Sequence, residues 1–150
     1  MDGMTSAEIR QAVRAALVAS TDITDVVPAA RIFDGRGLPV PDDKLPAILV
    51  YIHSESGQSI GYTQAPTMET RTDVAVEVYC TATSDSAIET AMDFADTVLD
   101  VLLVGQTLAQ SRLTPESVRT QRAVRESDKG GRIRIGLVGH VLTVKHIKGW

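Results

Sequence analysis

Residues Arg31 to His53 read R-I-F-D-G-R-G-L-P-V-P-D-D-K-L-P-A-I-L-V-Y-I-H. The stretch opens with a short apolar piece, turns at Asp34-Gly35 and crosses an acidic loop rich in proline. It then enters the most continuous apolar run of the chain, Ala47 to Ile52. Gly supplies backbone angles that side chains forbid, and each Pro fixes its own φ and biases the residue before it towards extended conformations. Six apolar residues bounded by such signals predict a strand covered on both faces and central in its sheet.

Working outward, the alternation in Thr70 to Ala82 predicts a second strand. Thr72, Val74, Val76, Val78 and Cys80 share one side; Arg71, Asp73, Glu77 and Thr81, with Ala75 and Tyr79, share the other. That period of two marks an antiparallel strand with one wet face. Between the two strands, Ser54 to Glu69 is weakly hydrophobic and is expected to be a long loop, either a hairpin tip or an arm that orders on a partner. Ile60, Tyr62 and Met68 are its candidate anchors.

Two helices flank this pair. Thr5 to Ala19 has capping-box spacing at Thr5 and Glu8 and an apolar stripe of Ile9, Ala12, Val13, Ala16 and Leu17. Ser86 to Val104 has the same spacing at Ser86 and Glu89, and a stripe of Ile88, Met92, Ala95, Val98, Leu99 and Leu102, with Gly105 placed to cap its end. Glu89, Asp93, Asp96 and Asp100 form an acidic ridge along it. Arg31 to Phe33 predicts a short strand, and Ser20 to Ala30 a loop. Val118 to Glu126 and Arg132 to Ile147 predict a hairpin closed by S-D-K-G-G. Its apolar phase changes near Gly136 to Gly139, which suggests a bulge. Residues 1–5 and 148–150 are expected to be loose tails.

The totals fit one α+β domain spanning all 150 residues. A single cysteine, Cys80, excludes an internal disulfide framework, and the absence of Asn excludes N-glycosylation. The start M-D-G-M-T-S lacks signal-peptide features, and no apolar run approaches the ~20 residues that span a bilayer. A soluble chain made in a cytoplasm, with no membrane partner, is the expectation. Charge is distributed unevenly: residues 1–110 hold 6 Lys/Arg and 16 Asp/Glu, residues 111–150 hold 9 and 3. Either the two parts neutralise each other across one sheet, or oppositely charged faces dock on neighbouring copies.

Catalytic chemistry is not evident. His53, His140 and His146 are scattered, without the three or four converging ligands that a metal site needs. Structural or surface roles are expected for them. There is no G-x-S-x-G, phosphate-binding glycine loop or H-E-x-x-H. The residues therefore suggest no enzyme, cofactor or metal.

One ordered set of motifs is informative: Phe33-Asp34-Gly35-Arg36, then Asp42-Asp43, then Leu45-Pro46-Ala47-Ile48-Leu49-Val50-Tyr51-Ile52, then T-D-V-A-V-E-V-Y from Thr72 to Tyr79, and the terminal hairpin. In this order, over roughly residues 6–147, the chain resembles the minor tail protein U family, the tail terminators of lambda-like long-tailed bacteriophages. It departs from that pattern in a longer, proline-richer loop at Gly35 to Pro46 and beyond Lys148. The resemblance implies an α+β fold, a mixed or antiparallel sheet of four to five strands with two main helices on one face. It implies a homo-hexameric ring in the virion, at the head-tail junction. The ring would sit on the head-proximal end of the tail tube, stop tube growth and present a surface to the head-tail connector, with DNA passing unread through its lumen. In such a ring, Glu89, Asp93, Asp96 and Asp100 of one copy are expected near Arg119, Arg122, Arg125, Arg132 or Arg134 of the next. The alternatives are another head-tail neck or tail-completion protein, and a non-viral peptide-binding module.

Overall fold

A computed structural model describes residues 5–35, 44–60, 67–103, 115–127 and 130–149. The fold is α+β, a five-stranded mixed sheet in the order β1-β2-β3-β5-β4. The elements are α1 (Ser6–Val18), α2 (Thr21–Thr24), β1 (Ile32–Asp34), β2 (Ala47–Ile60), β3 (Thr67–Ala82), α3 (Asp85–Met92), α4 (Phe94–Leu103), β4 (Pro115–Ser127) and β5 (Gly130–Gly149). Only β1 pairs in parallel, with β2; every other neighbour is antiparallel.

The apolar run forms the strand it predicts. Ala47 to Tyr51 are all buried, Ile48 and Val50 under the helices and Leu49 and Tyr51 on the opposite face. Full burial of one such aliphatic side chain contributes roughly 1.5–3 kcal/mol. The middle of the sheet, however, is β3. β2 takes the next place along, and β1 pairs with it at Ile48, Leu49 and Val50. The turn after β1 is made by Gly35 at φ 100, whose N–H donates to the Val50 carbonyl at 2.7 Å, an angle few side chains tolerate.

The period of two in β3 is kept. Val74, Val76, Val78 and Cys80 join the core beneath the helices, where burial pushes the Cys80 thiol up from its ordinary pKa. From α1 come Ile9, Val13, Ala16 and Leu17; from α3 and α4 come Ile88, Met92, Ala95, Val98 and Leu102. Thr5 caps α1 by accepting from the Glu8 N–H at 3.2 Å, and its hydroxyl donates to the Glu8 carboxylate at 3.1 Å.

Several expectations change. The second helix is two, broken at Asp93, where i to i+3 bonds tighten the chain. Its cap is Ser84 rather than Ser86: the Ser84 hydroxyl accepts from the Ala87 N–H at 3.2 Å. Gly105 lies outside the described residues. Ser20 to Ala30 holds α2 and a 3-10 turn at Ala29–Arg31. Ser54 to Glu69 is mostly strand, since Ser54 to Ile60 pair with Asp73 to Thr67. Residues 143–149 of β5 pair along the same part of β3, so the segment is a three-stranded arm and 148–149 are not a loose tail. Thr5 is likewise a helix cap and not part of a tail.

No bulge interrupts β5 at Gly136 to Gly139, which pairs with β3 in unbroken register. The phase change has another cause. Val138, Leu142 and Val144 face the helices, while Val141 packs with Leu49, Tyr51, Ala75 and Tyr79 on the opposite face. Both sides of the strand are apolar because each joins a buried cluster, the main core under the helices on one side and a small cluster of strand side chains on the other. A register shift falls instead between Ile52 and Ser54 of β2. It moves Glu55 onto the helix side, opposite Thr72, and Ser54 onto the open side, opposite Asp73.

Candidate functional site

The face of the sheet away from the helices carries a groove of about 630 Å³ across β2, β3, β5 and β4. Small residues, Ala75, Gly139 and Ala123, leave the space; Tyr51, His53, Glu77, Arg119 and Gln121 rim it. Asp73 is the polar centre of this face. Its carboxylate accepts from the hydroxyls of Thr143 at 2.6 Å and Ser54 at 2.9 Å, and from the Arg119 guanidinium at 3.3 Å. Burial opposes ionisation there, but the Thr143 and Ser54 hydrogen bonds and the charges of Arg119 and His53 outweigh it, holding the carboxyl below its usual range. Four strands therefore meet at one ionised group.

Further along the same face, Arg71 grips Glu116 with two contacts, at 2.9 and 3.3 Å, reaching from β3 over β5 to β4. The pair depresses the Glu116 carboxyl and raises the Arg71 guanidinium. At the other end the Tyr79 hydroxyl donates to Glu77 at 3.0 Å. Burial first, then the Glu77 carboxylate, push that hydroxyl up to about 12, against the opposing charge of Arg125.

The helix side holds two buried polar clusters that explain two histidines. The His140 ring is fully buried, with Nε2 2.9 Å from the Ala95 carbonyl and Nδ1 2.8 Å from the Thr120 hydroxyl. A carbonyl only accepts, so Nε2 carries the proton, and in the neutral ring Nδ1 accepts from Thr120. This ties β4 and β5 to α4. Near the arm, His146 Nε2 lies 2.8 Å from the Thr72 hydroxyl, which lies 2.7 Å from that of Ser6, which in turn donates to Glu55. An ionised carboxylate only accepts, so the chain has one direction, with donation from His146 through Thr72 and Ser6 to Glu55. Both histidines are thus buried and hydrogen-bonded rather than at the surface. Among the described residues no group of three or more His, Cys, Asp or Glu is placed to hold a metal, and no helix is long and apolar enough to cross a membrane.

The charged residues expected at a subunit interface do not share one face. With a period of two, Arg119 and Arg125 project on the groove side of β4 and Arg122 on the helix side, so three positions that look like a basic stripe are split. Arg122 reaches Asp93 at 3.6 Å and Asp96 at 3.2 Å in its own chain. Arg134 reaches Asp85 at 3.1 Å and Glu126 at 3.5 Å. The acidic and basic parts of the sequence thus meet within one subunit, across the α3–α4 break and the sheet. Glu89 and Asp100 are exposed. Arg132 lies in β5, and its side chain is outside the described residues.

Of the candidate anchors, Met68 lies in the arm and packs over Gly57, with Sδ 2.6 Å from where a Cβ would stand there. Ile60 ends β2, its side chain outside the described residues, as is Tyr62 entirely. Sequence reasoning missed the Asp73 centre and the groove. The available signal was the recurrence of small residues at Ala75, Ala123 and Gly139, which only strand register sets on one face, diagonally across three adjacent strands.

The residue with the least cover is a whole strand. Between its end residues β4 is exposed or half-exposed throughout, on both faces, with Val124 at 49%. It forms one edge of the sheet.

No protein-family model matches the chain, and no curated protein does. Among solved structures, a chain of the "Virion of native gene transfer agent (GTA) particle" is similar, with a TM-score of 0.49 and 20% identity, over 92% of this chain and 95% of that one.

Proposed function

We propose that this chain is a structural subunit of a bacteriophage-like particle, a tail terminator that closes as a six-membered ring on the head-proximal end of the tail tube. The reading rests on the ordered motifs and on where they fall. F-D-G is β1 and its turn, L-P-A-I-L-V-Y-I leads into β2 and forms its buried part, T-D-V-A-V-E-V-Y is the interior of β3, and the terminal hairpin is β4–β5. The observation that carries it furthest is that these motifs build one continuous sheet whose hairpin strand β4 has exposed side chains on both faces along most of its length. An exposed edge strand is a template for pairing with another chain, the kind of surface that an assembling subunit uses.

In this role the ring stops tube polymerisation, offers its other surface to the head-tail connector, and lets DNA through without reading it. The arm of β2, β3 and β5 is the candidate grip on the tube protein. Exposed charges orient the ring and contribute ~0–1 kcal/mol per pair, so apolar area or strand pairing must hold it. Reversing Glu89 and Asp100 to Lys tests the charged surface. Reversing Asp93 and Asp96 also removes the contacts of Arg122 within the subunit.

The direct experiment is negative-stain imaging of the purified protein, alone and with divalent salt, followed by addition of tail tubes. Sixfold rings with an open lumen, or caps on tube ends, are the expected result. Absence of both would return the neck-protein reading to first place.

A further inference from the structure

We propose that the arm of β2, β3 and β5 is a separately opening unit of the fold, and that the first turn of α1, through Ser6, is the clamp that keeps it ordered. The use of the arm as a grip rests on the tube-capping reading above; the clamp itself does not.

The boundary of the unit is visible in the packing. Val74 of β3 and Val144 of β5 belong to the main core. Beyond them, none of the described side chains at 54–57, 68–73 and 145–147 belongs to either apolar cluster. The buried side chains of the arm are polar instead: Thr70, Thr72 and His146. The register shift of β2 between Ile52 and Ser54 falls at the same level, opposite Val74 and Asp73. A segment with few buried apolar contacts opens at a lower free energy than the body it extends from.

What holds such a segment is then its polar contacts, and burial ranks them. Arg71 with Glu116, and Arg119 with Asp73, tie the arm and its root to β4. These arginines are 47% and 65% exposed, and ion pairs at such sites contribute little. The chain from His146 through Thr72 and Ser6 to Glu55 is different, because Ser6, Thr72 and His146 are all buried. Three of its members come from the three strands of the arm; Ser6 is the one that stands outside, on α1. The anchor is firm, since Thr5 caps the helix there and Ile9, one turn on, is in the core. Removing one member of a buried hydrogen-bonded chain leaves its neighbours desolvated and unmatched, so a single hydroxyl has a large effect on a weakly packed unit.

The test is hydrogen exchange followed by mass spectrometry on the full chain, comparing the unmodified protein with Ser6→Ala and Thr72→Val in the same assembly state. Ser84→Ala, which removes a hydroxyl cap from α3, is the control. Both arm variants should exchange faster by roughly tenfold in peptides covering 54–60 and 145–149, with 47–52 and 74–80 unchanged. Ser84→Ala should leave the arm as it was. Acceleration spread equally over arm and body would overturn the separate unit. Unchanged arm exchange in either Ser6→Ala or Thr72→Val, or equal acceleration of the arm by Ser84→Ala, would overturn the clamp. Because exchange is read within one chain, the clamp can fail while rings and caps are seen, and can hold where they are not.

Discussion

Two glycines face methionines at the same distance, and the packing behind each methionine gives their substitution opposite outcomes. A Cβ at Gly136 would lie 2.6 Å from Met92 Cγ, 2.8 Å from its Sδ and 3.0 Å from Cys80 Sγ. Met92 is 3% exposed and Cys80 7%, so neither can leave without disturbing the α3–sheet contact. Overpacking of this kind costs ~1–3 kcal/mol. Replacing a strand glycine by alanine returns roughly 0.5–1 kcal/mol through the unfolded chain. Gly136→Ala should therefore lose about 1–2 kcal/mol net, a melting temperature lower by roughly 3–8 °C for a domain of this size. A Cβ at Gly57 would lie 2.6 Å from Met68 Sδ, but Gly57 is exposed and Met68 only half-buried, with three rotatable bonds on which to swing away. Gly57→Ala should be neutral or stabilising by up to about 1 kcal/mol. Urea unfolding followed by far-ultraviolet circular dichroism measures both, with unchanged m showing that only stability moved. In the Gly136→Ala protein, Met92→Val should restore part of the loss, a coupling of the order of 1 kcal/mol. Equal losses at the two glycines, or none at Gly136, would refute the reasoning.

The remaining expectations concern the polar groups. His140→Phe keeps the ring volume but strips two hydrogen bonds from a fully buried site, and should cost about 1–3 kcal/mol; Thr120→Val should then add little in the double variant, as the urea midpoints will show. Asp73 is held below the ordinary carboxylate range, so its contribution is complete above the unfolded value of about 3.9 and is lost as pH falls through the lower folded value. Asp73→Asn should thus flatten the decline in melting temperature below about pH 4, and an unchanged profile would show that Asp73 does not carry it. Arg122→Ala breaks exposed contacts to Asp93 and Asp96 and should cost under about 1 kcal/mol, with the difference shrinking as salt is added.

Patterns local to the chain were legible in the sequence: the buried run Ala47 to Tyr51, the two-residue period of β3, the stripes of α1 and of α3–α4, and the hairpin at the end. Each follows from side-chain direction in one element, which a few neighbouring residues settle. The candidate site was much less legible. Ser54 to Glu69 is too polar to be read as strand from its own composition, yet Ser54 to Ile60 pair with β3, and Thr67 to Glu69 of β3 pair with β5 as well. The acidic ridge and the arginines of β4 were visible as charges, but the partner of each was not. Arg119 and Arg122 are three residues apart, and in a strand that separation sends them to opposite faces, one to Asp73 and one to Asp93 and Asp96.

The sequence by itself therefore determined the α+β class, most of the core and the order of its elements, because apolar periodicity is a property of neighbouring residues. Only the tertiary structure decided that β3 lies at the middle of the sheet, that His140 and His146 are buried in hydrogen-bonded clusters, and that β4 follows β5 in the strand order. Those facts depend on which distant strands pair and in what register, a choice made by the whole set of backbone bonds and packed faces at once.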